Sequence, residues 1–558
     1  MIRAILFFLA MSFAFLSRAQ VPGILWQRSL GGDKPEFAEV IKITSDGGSI
    51  VAGYSYSDIT GDKSEMNNGV YDCWILKMDA FGNKQWDRTL GGDAFDGVFD
   101  ITEMSDGTYW VAAQSNSGIS GDKTDTCRGG MDYWILHLDN GGGIISQRTF
   151  GSAEHDYLQT VIPSSTGGYF ASGHTMEWYV SAEKTDTGCY ALTSFPLQKV
   201  DPSDTFKTRD LLVVRFNPDG SIRWQRTLGG YENETVGKMV EKANGNLVIA
   251  GTSGSSVSYF RYPNCERFDL HRGYTDYWIL ELDKLGNLVN EKTFGGFFED
   301  DLENIYATKD GGFVLTGSSV SQASGNKSES PYANYDYWIV KVDSNFNKKW
   351  EKVYGSNGRE WGKHLVETQD GGFLLGGTSE GGISGNKLVP NYGDKDYWIL
   401  KLNANGNALW QYSIGGGSFD RFAYLQETAD QKILLAGTSI SNPSAWKTVP
   451  LKGNFDYWVL KIDQNPYQAP NHIRDILDGT TFSVFPNPAA QWVQLNLNRQ
   501  PRQAMIKLID MMGRTVLQSE MAQSNLQMDI SALSNGQYLL VMHEDGNLTR
   551  YERLMVNR

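Results

Sequence analysis

Short apolar runs alternate along most of the chain with turns rich in Gly, Asp and Asn. Between residues 39 and 90 the order is EVIKIT, the turn SDGG, SIVAGYS, a longer loop, CWILKMD, the turn AFGN and KQWDRTL. Gly and Asn accept the positive φ angles that tight hairpin turns require. The second and third runs are almost continuously apolar, as in strands whose sheet is covered on both faces. The pattern predicts a unit of four antiparallel strands joined by two tight turns and a longer loop.

This unit recurs along the chain, and its third strand opens with Asp in the phrase DYWIL or a variant of it. Most of the recurrences are 60 residues apart. Four-stranded sheets that repeat seven times and pack face to face are typical of a β-propeller. The repeated Asp is found at Asp72, Asp132, Asp210, Asp276, Asp336, Asp396 and Asp456.

The first and last units are each incomplete. The segment ILWQRSLGG (24–32) has the pattern of a fourth strand with no third strand before it, and the last repeat ends with its third strand, DYWVLKID (456–463). We therefore predict that strand 24–30 pairs with 456–463. The predicted fold is all-β: a seven-bladed β-propeller closed by the N-terminal strand, followed by a small C-terminal β-sandwich.

The first 19 residues have the pattern of a secretory signal peptide. Arg3 precedes an apolar run, 4–16, and small residues stand two apart at Ser17 and Ala19. We expect cleavage after Ala19 and export, so that the product is secreted or lies on the outer cell surface. No later stretch approaches the roughly 18 apolar residues of a membrane-spanning helix, so no transmembrane segment is expected.

The chain changes character after the last repeat. Residues 467–481 read as a linker, and 482–558 alternate apolar residues with Gly and Asn turns, which predicts a small β-sandwich. The expected domains are therefore a signal peptide at 1–19, the propeller at 20–466, this linker, and a C-terminal domain at 482–558.

Three motifs in the tail carry a resemblance to a known family. FPNP (485–488), DMMGR (510–514) and DISALSNGQYLL (529–540) strongly resemble the C-terminal sorting domain of the bacterial type IX secretion system. The resemblance implies that residues 482–558 engage that secretion machinery. It also implies removal of the tail, followed by release of the product or its attachment to surface lipopolysaccharide. The propeller repeats resemble surface propellers of unassigned activity that carry such tails.

Composition excludes some partners and leaves the disulfides open. The formal net charge of −15 disfavours nucleic acid and anionic membrane surfaces, since both attract basic proteins. Cys73 replaces the Tyr of the repeat, so we expect a buried thiol there. Cys189 and Cys265 fall in neighbouring irregular loops, where they could pair in an oxidising compartment.

Residues that recur in every unit are expected to build the scaffold. The Trp of the DYW phrase recurs, and large flat side chains between stacked sheets are typical of core packing. An acid follows each fourth strand, at Glu36, Asp96, Asp156, Glu234, Asp300, Glu360 and Asp420. A base precedes the DYW Asp by nine residues in six units, at Lys63, Lys123, Arg267, Lys327, Lys387 and Lys447. These charges either cap and pair to order the loops, or they hold a cation at the mouth of the channel.

Departures from the repeat indicate where a ligand could bind. Insertions at 184–209 and 252–274 occur once each and concentrate Tyr, Phe and Arg, which dominate recognition surfaces. The candidate ligand-binding residues are Tyr259, Phe260, Arg261, Tyr262, Phe268, Arg272 and Tyr274. We expect a binding or adhesion module for an extracellular glycan or protein.

Two other functions remain open at this stage. The many acids could serve a hydrolase or lyase that acts on extracellular polysaccharide, or the protein could be a passive structural component of the cell surface. His155, His174 and His271 lie near the irregular loops, but no HxH or HExxH spacing typical of zinc sites is present. We therefore expect no catalytic residue, metal or cofactor, and favour a non-enzymatic role.

Overall fold

The structure is a computed structural model that describes residues 23–176, 209–229, 232–255, 271–464 and, with short gaps, 482–556. The signal peptide, the linker and both insertions except residues 209, 252–255 and 271–274 lie outside these residues. So do Cys189, Cys265, Tyr259, Phe260, Arg261, Tyr262 and Phe268. The chain divides into two compact units, Met1–Gln464 and Asn465–Arg558.

The described residues of the larger unit form seven four-stranded antiparallel sheets in a propeller-like arrangement. Sheets 1 to 3 are β2 (Glu36–Ile43), β3 (Ser49–Ser55), β4 (Asp72–Met78), β5 (Lys84–Leu90); β6 (Asp96–Glu103), β7 (Tyr109–Ser115), β8 (Asp132–Leu138), β9 (Ile144–Phe150); and β10 (Asp156–Pro163), β11 (Tyr169–Thr175), β12 (Asp210–Phe216), β13 (Ile222–Leu228). Sheets 4 to 6 are β14 (Glu234–Glu241), β15 (Leu247–Ser253), β16 (Asp276–Leu282), β17 (Leu288–Phe294); β18 (Asp300–Ala307), β19 (Phe313–Ser319), β20 (Asp336–Val342), β21 (Lys348–Tyr354); and β22 (Glu360–Glu367), β23 (Phe373–Ser379), β24 (Asp396–Leu402), β25 (Ala408–Ile414). Sheet 7 is β26 (Asp420–Glu427), β27 (Lys432–Ser439), β28 (Asp456–Asp463) and β1 (Gly23–Leu30).

Sheet 7 joins the two ends of the larger unit. Its outer strand β1 runs antiparallel to β28, with Gln27 opposite Leu460 and Leu30 opposite Tyr457. The side chain of Gln27 accepts a hydrogen bond from Trp458 Nε1 at 3.1 Å and donates one to Thr448 Oγ1 at 2.8 Å. The first described strand, β1, thus becomes the fourth strand of a sheet whose other three strands lie within 420–463. With it, sheet 7 has four strands, as each of the other six sheets does.

The DYW phrase packs neighbouring sheets together. The Trp residues at 74, 134, 278, 338, 398 and 458 are all at most 1% exposed. The preceding Tyr reaches the next sheet, because Tyr337 Oη donates to the backbone carbonyl of Trp398 at 3.2 Å and Tyr457 Oη does the same to Trp74. The burial of these Trp residues and the contacts of the Tyr residues with the next sheet confirm the prediction that the DYW phrase builds the scaffold. Cys73, which replaces one such Tyr, is a buried free thiol as expected.

The first strand of every sheet carries a β-bulge at the same place. The pairing of β2 with β3 shifts between Ala38 and Val40, and that of β22 with β23 shifts between Gly362 and His364. Bulges redirect side chains and are frequent next to functional sites. The bulged residues are Glu39, Phe99, Gln159, Gly237, Glu303, Lys363 and Ala423.

The smaller unit consists of two sheets around one apolar core. One sheet has the order β29 (Phe482–Phe485), β30 (Trp492–Leu497), β33 (Asn525–Asp529), and the other β32 (Thr515–Met521), β31 (Ala504–Ile509), β34 (Gly536–Glu544), β35 (Asn547–Val556). Val493, Leu495, Ile506 and Leu540 are fully buried in the core that the sheets share. Within the described residues of the whole chain, no helix has the length and apolar character needed to cross a membrane.

Candidate functional site

One cavity of about 340 Å³ is lined by the first strands of all seven sheets, and is called here the central cavity. The bulges explain its lining, because in most sheets both the bulged residue and the residue after it face the cavity. From β22 these are Lys363 and His364, from β18 Glu303 and Asn304, and from β14 Gly237 and Lys238. Five sheets contribute such a pair, and β6 and β10 contribute only Phe99 and Gln159. The residues differ from sheet to sheet, so this site lacks the repetition found elsewhere in the unit.

A buried carboxylate organises one side of the central cavity. Asp100 is 3% exposed. Its Oδ2 lies 3.0 Å from Lys238 Nζ and accepts a hydrogen bond from Thr160 Oγ1 at 2.8 Å, while its Oδ1 lies 3.7 Å from Lys42 Nζ. Burial alone would raise the pKa of Asp100, but the two lysines outweigh burial and lower it. One carboxylate thus serves two ammonium groups.

Two further ion pairs complete the charges of the cavity. Lys363 Nζ lies 2.6 Å from Glu303 Oε2, and Arg421 Nη2 lies 2.5 Å from Glu39 Oε1. Together with Lys42, Lys238 and Asp100, the cavity and its direct partners hold four cations and three carboxylates. The local balance is positive in a chain whose formal net charge is −15.

His364 and Asn304 line the cavity, and each has one buried polar atom without a partner in the described part of the chain. Both residues are 4% exposed, and neither His364 Nδ1 nor Asn304 Oδ1 has a hydrogen-bond partner among the residues that the structure describes. The ring of His364 lies 3.5 Å from that of Tyr424, centroid to centroid, and Tyr424 Oη accepts a hydrogen bond from Lys42 at 2.6 Å. Burial, reinforced by Lys42, Lys238 and Lys363, holds the pKa of His364 well below its usual range. The imidazole is therefore neutral at physiological pH.

Aromatic rings border another side of the central cavity. Tyr54 and Phe99 line it directly, with ring centroids 6.4 Å apart. Tyr54 also packs on Phe37 at 5.1 Å and on Phe95 at 5.3 Å. The connected rings, called here the aromatic arc, are Phe37, Tyr54, Tyr56, Tyr71, Phe95, Phe99, Phe419 and Phe455. All of them are half-buried except the exposed Tyr56.

The repeated acids occupy a different environment, the junctions between sheets. At one junction Asp396 Oδ2 accepts the backbone N–H of Tyr392 at 2.6 Å, and Asp420 Oδ2 accepts that of Gly416 at 2.6 Å. Both carboxyls are fully buried. A side chain at Gly415 would place its Cβ 1.9 Å from Asp396 Oδ1, so only glycine fits after this fourth strand. The geometry agrees with the loop-cap interpretation of these acids.

The repeated bases differ from their expectation. The loop-ordering interpretation expected each base to pair with an acid, but Lys387 is fully buried and donates to Ser379 Oγ and to the carbonyl of Gly381, both at 2.6 Å. Arg267 lies outside the described residues. Its Nζ lies 5.5 Å from the ring centroid of Trp398. The acids act on it only at longer range, and burial lowers its pKa to about 8. Burial, followed by the charge of Asp420, raises the pKa of Asp396 to about 7.

Two of the seven candidate ligand residues lie within the described part of the chain. Tyr274 is 70% exposed and its ring stacks at 6.4 Å on Phe298, which is also exposed. The backbone N–H of Arg272 donates to Asp276 Oδ2 at 2.6 Å, as a loop cap. Neither residue is among those that line the central cavity.

The histidines do not assemble a metal centre in the described residues. No group of three His, Cys, Asp or Glu side chains there has the geometry to hold a metal ion. His155 Nδ1 accepts the backbone N–H of Met131 at 3.0 Å, and its ring stacks on Tyr157 at 5.7 Å.

Sequence reasoning missed the cavity residues. Their signal was present: the fourth and fifth residues of each first strand differ from unit to unit, while the acid that opens the strand recurs. Nothing local to one strand shows that these positions from seven strands meet at one cavity.

The tail matches a known family. Residues 483–557 match the model of the secretion system C-terminal sorting domain. This confirms the identification of the tail as a sorting domain of type IX secretion cargo.

Other similarities cover more of the chain at low identity. The regulatory protein FlaEY of Caulobacter vibrioides is 22% identical in an alignment of 433 positions, which covers 71% of this chain and 42% of that protein. The chain therefore spans less than half the length of this curated relative. Among solved structures, PorZ, an essential bacterial surface component of the type IX secretion system of Porphyromonas gingivalis, is 11% identical with a TM-score of 0.28, covering 96% of this chain and 75% of PorZ. The WD40 domain of Neurospora crassa Pan2 is 8% identical with a TM-score of 0.38, covering 78% of this chain and 95% of that domain.

Proposed function

We propose that this protein is an exported binding module that recognises an extracellular ligand in its central cavity. The observation that carries the proposal is the set of seven bulges, which turn non-repeating side chains from seven repeated strands toward one cavity. A volume of about 340 Å³ lies within the range of small-molecule sites. A repeated scaffold needs no such variety for its own stability, whereas a single binding site does.

The architecture proposed for this module is a seven-bladed propeller over 20–466, closed by β1. The pairing of β1 with β28 and the lining of one cavity by all seven first strands support this closure. Export would begin with the signal peptide 1–19 and be completed by the sorting domain, 482–558, after the linker 467–481. The product would be released or held at the outer cell surface.

The insertions remain part of the proposed binding surface. Tyr274 and Phe298 expose aromatic area at the end of the larger unit where the long loops lie. Aromatic side chains of this kind are enriched among the residues that dominate binding energy. We propose that 184–209 and 252–274 extend the recognition surface beyond the cavity.

The polysaccharide hydrolase receives less support from the geometry. Its candidate acids are the repeated carboxyls, and those within the described residues are at most 6% exposed. A polymer substrate needs at least two accessible carboxyl groups at the bond that is cleaved. A passive structural role predicts no ligand at all.

The test is a binding screen of the full chain on arrays of extracellular glycans and peptides. His364→Leu, which alters the cavity, should weaken binding at least tenfold, and Asn405→Ala in an exposed tight turn should leave it unchanged. Loss of binding with Tyr274→Ala but not with His364→Leu would move the site to the insertions. An absence of any ligand would favour the structural role.

A further inference from the structure

The central cavity combines three chemical features that one class of ligand satisfies together. They are an excess of positive charge, polar atoms without hydrogen-bond partners, and the rings of the aromatic arc that line the cavity. We propose that the central cavity binds a sugar ring that carries a carboxylate, as in a polysaccharide of hexuronic acids. This inference rests on the proposed binding function and specifies its ligand.

The excess positive charge of the cavity favours an anionic ligand. Lys42 and Lys238 share the carboxylate of Asp100, whereas Lys363 and Arg421 each have a carboxylate of their own. One cationic charge therefore has no counterpart among these groups. A carboxylate of a ligand placed near Lys238 would supply it, and hydrogen bonds between charged partners are about twice as strong as neutral ones.

The two polar atoms without partners favour a ligand that carries hydroxyl groups. Asn304 Oδ1 can only accept a hydrogen bond, and His364 is neutral, so its Nδ1 either accepts or donates one. Each of these atoms is buried without a partner. A buried polar atom without a partner destabilises the protein, because it has lost its hydration and gained no hydrogen bond in return. The hydroxyl groups of a sugar ring both donate and accept, and so match this pair.

The rings of the aromatic arc favour a ligand that also has an apolar face. Tyr54 and Phe99 line the cavity, and Tyr54 is held in place by Phe37 and Phe95. Rings fixed by neighbours lose little conformational freedom when they bury a ligand. A sugar ring presents C–H groups on its faces and hydroxyls at its edge, whereas a simple inorganic anion has no apolar face.

The experiment compares acidic sugars with their neutral derivatives on the full chain. Calorimetric titrations would use short oligosaccharides of galacturonic, glucuronic, mannuronic and guluronic acid, each against its methyl ester. We expect at least one acid to bind at least tenfold more tightly than its ester. Asn304→Asp replaces the amide with a carboxylate of almost the same shape. It should weaken binding of the acid at least tenfold and binding of the ester much less.

Two controls separate loss of fold from loss of recognition. Asn304→Ala removes an atom without a partner, so the melting temperature of this variant should match that of the unaltered chain. The affinity of the variant for the acidic oligosaccharide should fall. Asn405→Ala should change neither quantity.

The outcomes distinguish the ligand class from the proposed function. Equal binding of acids and esters that is sensitive to Asn304→Ala would overturn the acidic class but leave the cavity as a binding site. Preferential binding of peptides with a free C-terminal carboxylate over their amides, with no sugar bound, would likewise overturn it and indicate a peptide ligand. Tight binding that is indifferent to every cavity variant would overturn both.

Discussion

The sheet junctions and the central cavity use the same kinds of charged residue for different ends. At a junction, Lys387 is surrounded by neutral oxygens and the ring of Trp398, and the acids accept backbone N–H groups. In the cavity, Lys238 and Lys42 converge on one carboxylate while His364 Nδ1 stays without a partner. Within the described residues the junction acids also keep one carboxyl oxygen without a partner, as at Asp396 Oδ1 and Asp420 Oδ1. The difference is that the junction arrangement recurs, whereas that of the cavity occurs once. Repetition thus distinguishes the residues that build the fold from the residues proposed to bind a ligand.

The strongest way to test the junctions is to remove β1. Deletion of residues 23–30 would expose the edge of β28 and leave Trp458 Nε1 without the acceptor that Gln27 provides. We expect a loss of stability larger than the roughly 3–5 kcal/mol of one buried Trp, together with oligomers formed through the exposed edge. Urea denaturation and light scattering would measure both. An unchanged urea midpoint would contradict the proposed closure.

A single junction can be broken at its Trp. Trp398→Ala removes a fully buried ring on which the Tyr337 ring packs at 4.9 Å. We expect the free energy of unfolding to fall by about 3–5 kcal/mol, measured by urea denaturation. Trp410→Ala, at a half-buried position of β25, is the matched control and should have a smaller effect. Equal effects would show that the DYW phrase is not the main packing unit.

The buried acids make the larger unit less stable as pH rises. Burial, the largest cause in each case, raises the pKa of Glu36, Asp132 and Asp396 to about 7 and of Asp336 to about 8. The folded state therefore holds protons that the unfolded state has lost above about pH 4.5, and this stabilisation disappears as pH rises through 7 to 8. Each such group changes the free energy of unfolding by up to about 1.4 kcal/mol per pH unit.

The window from pH 6.5 to 7.5 isolates this effect. Lys63, Lys387 and Lys447, whose pKa values burial lowers to about 8, stay mostly protonated there. His174, whose pKa burial lowers to about 4, affects stability only below its unfolded value near 6.5. Urea midpoints should fall across the window, and Asp336→Asn should reduce the slope. A midpoint that rises with pH would contradict the raised carboxyl pKa values.

The smallest effect on stability is expected in the cavity. His364→Leu replaces a buried ring whose Nδ1 has no partner, so it removes an unsatisfied atom along with some packing on Tyr424. We expect the free energy of unfolding to change by less than about 1 kcal/mol, since the two consequences oppose each other. Lys387→Met is the matched junction variant and should destabilise by several times more, because the neighbouring buried acids lose a cation. A reversed order would show that the cavity, too, is built for stability.

Much of the strand pattern followed from the chain itself. The four apolar runs between residues 39 and 90 correspond to β2, β3, β4 and β5, and the predicted strand 24–30 falls within β1. Hairpin turns and alternating runs are local signals, so they can be read without knowing what packs on them. The acids and bases were placed at the right ends of their strands, but their complete burial was not foreseen. Burial depends on the neighbouring sheet, which the sequence of one unit does not display.

By itself, the sequence determined the repeat, its strands, the scaffold role of the DYW phrase and the sorting domain at the end. Each of these rests on residues close together in the chain. Only the tertiary structure decided that Lys238, Asn304 and His364, from three different sheets, meet with Tyr54 at one cavity. Such a meeting depends on the curvature and order of the sheets and on a bulge in each first strand. A bulge moves a side chain from one face of its strand to another without any change in the apolar pattern, so no local signal announces it.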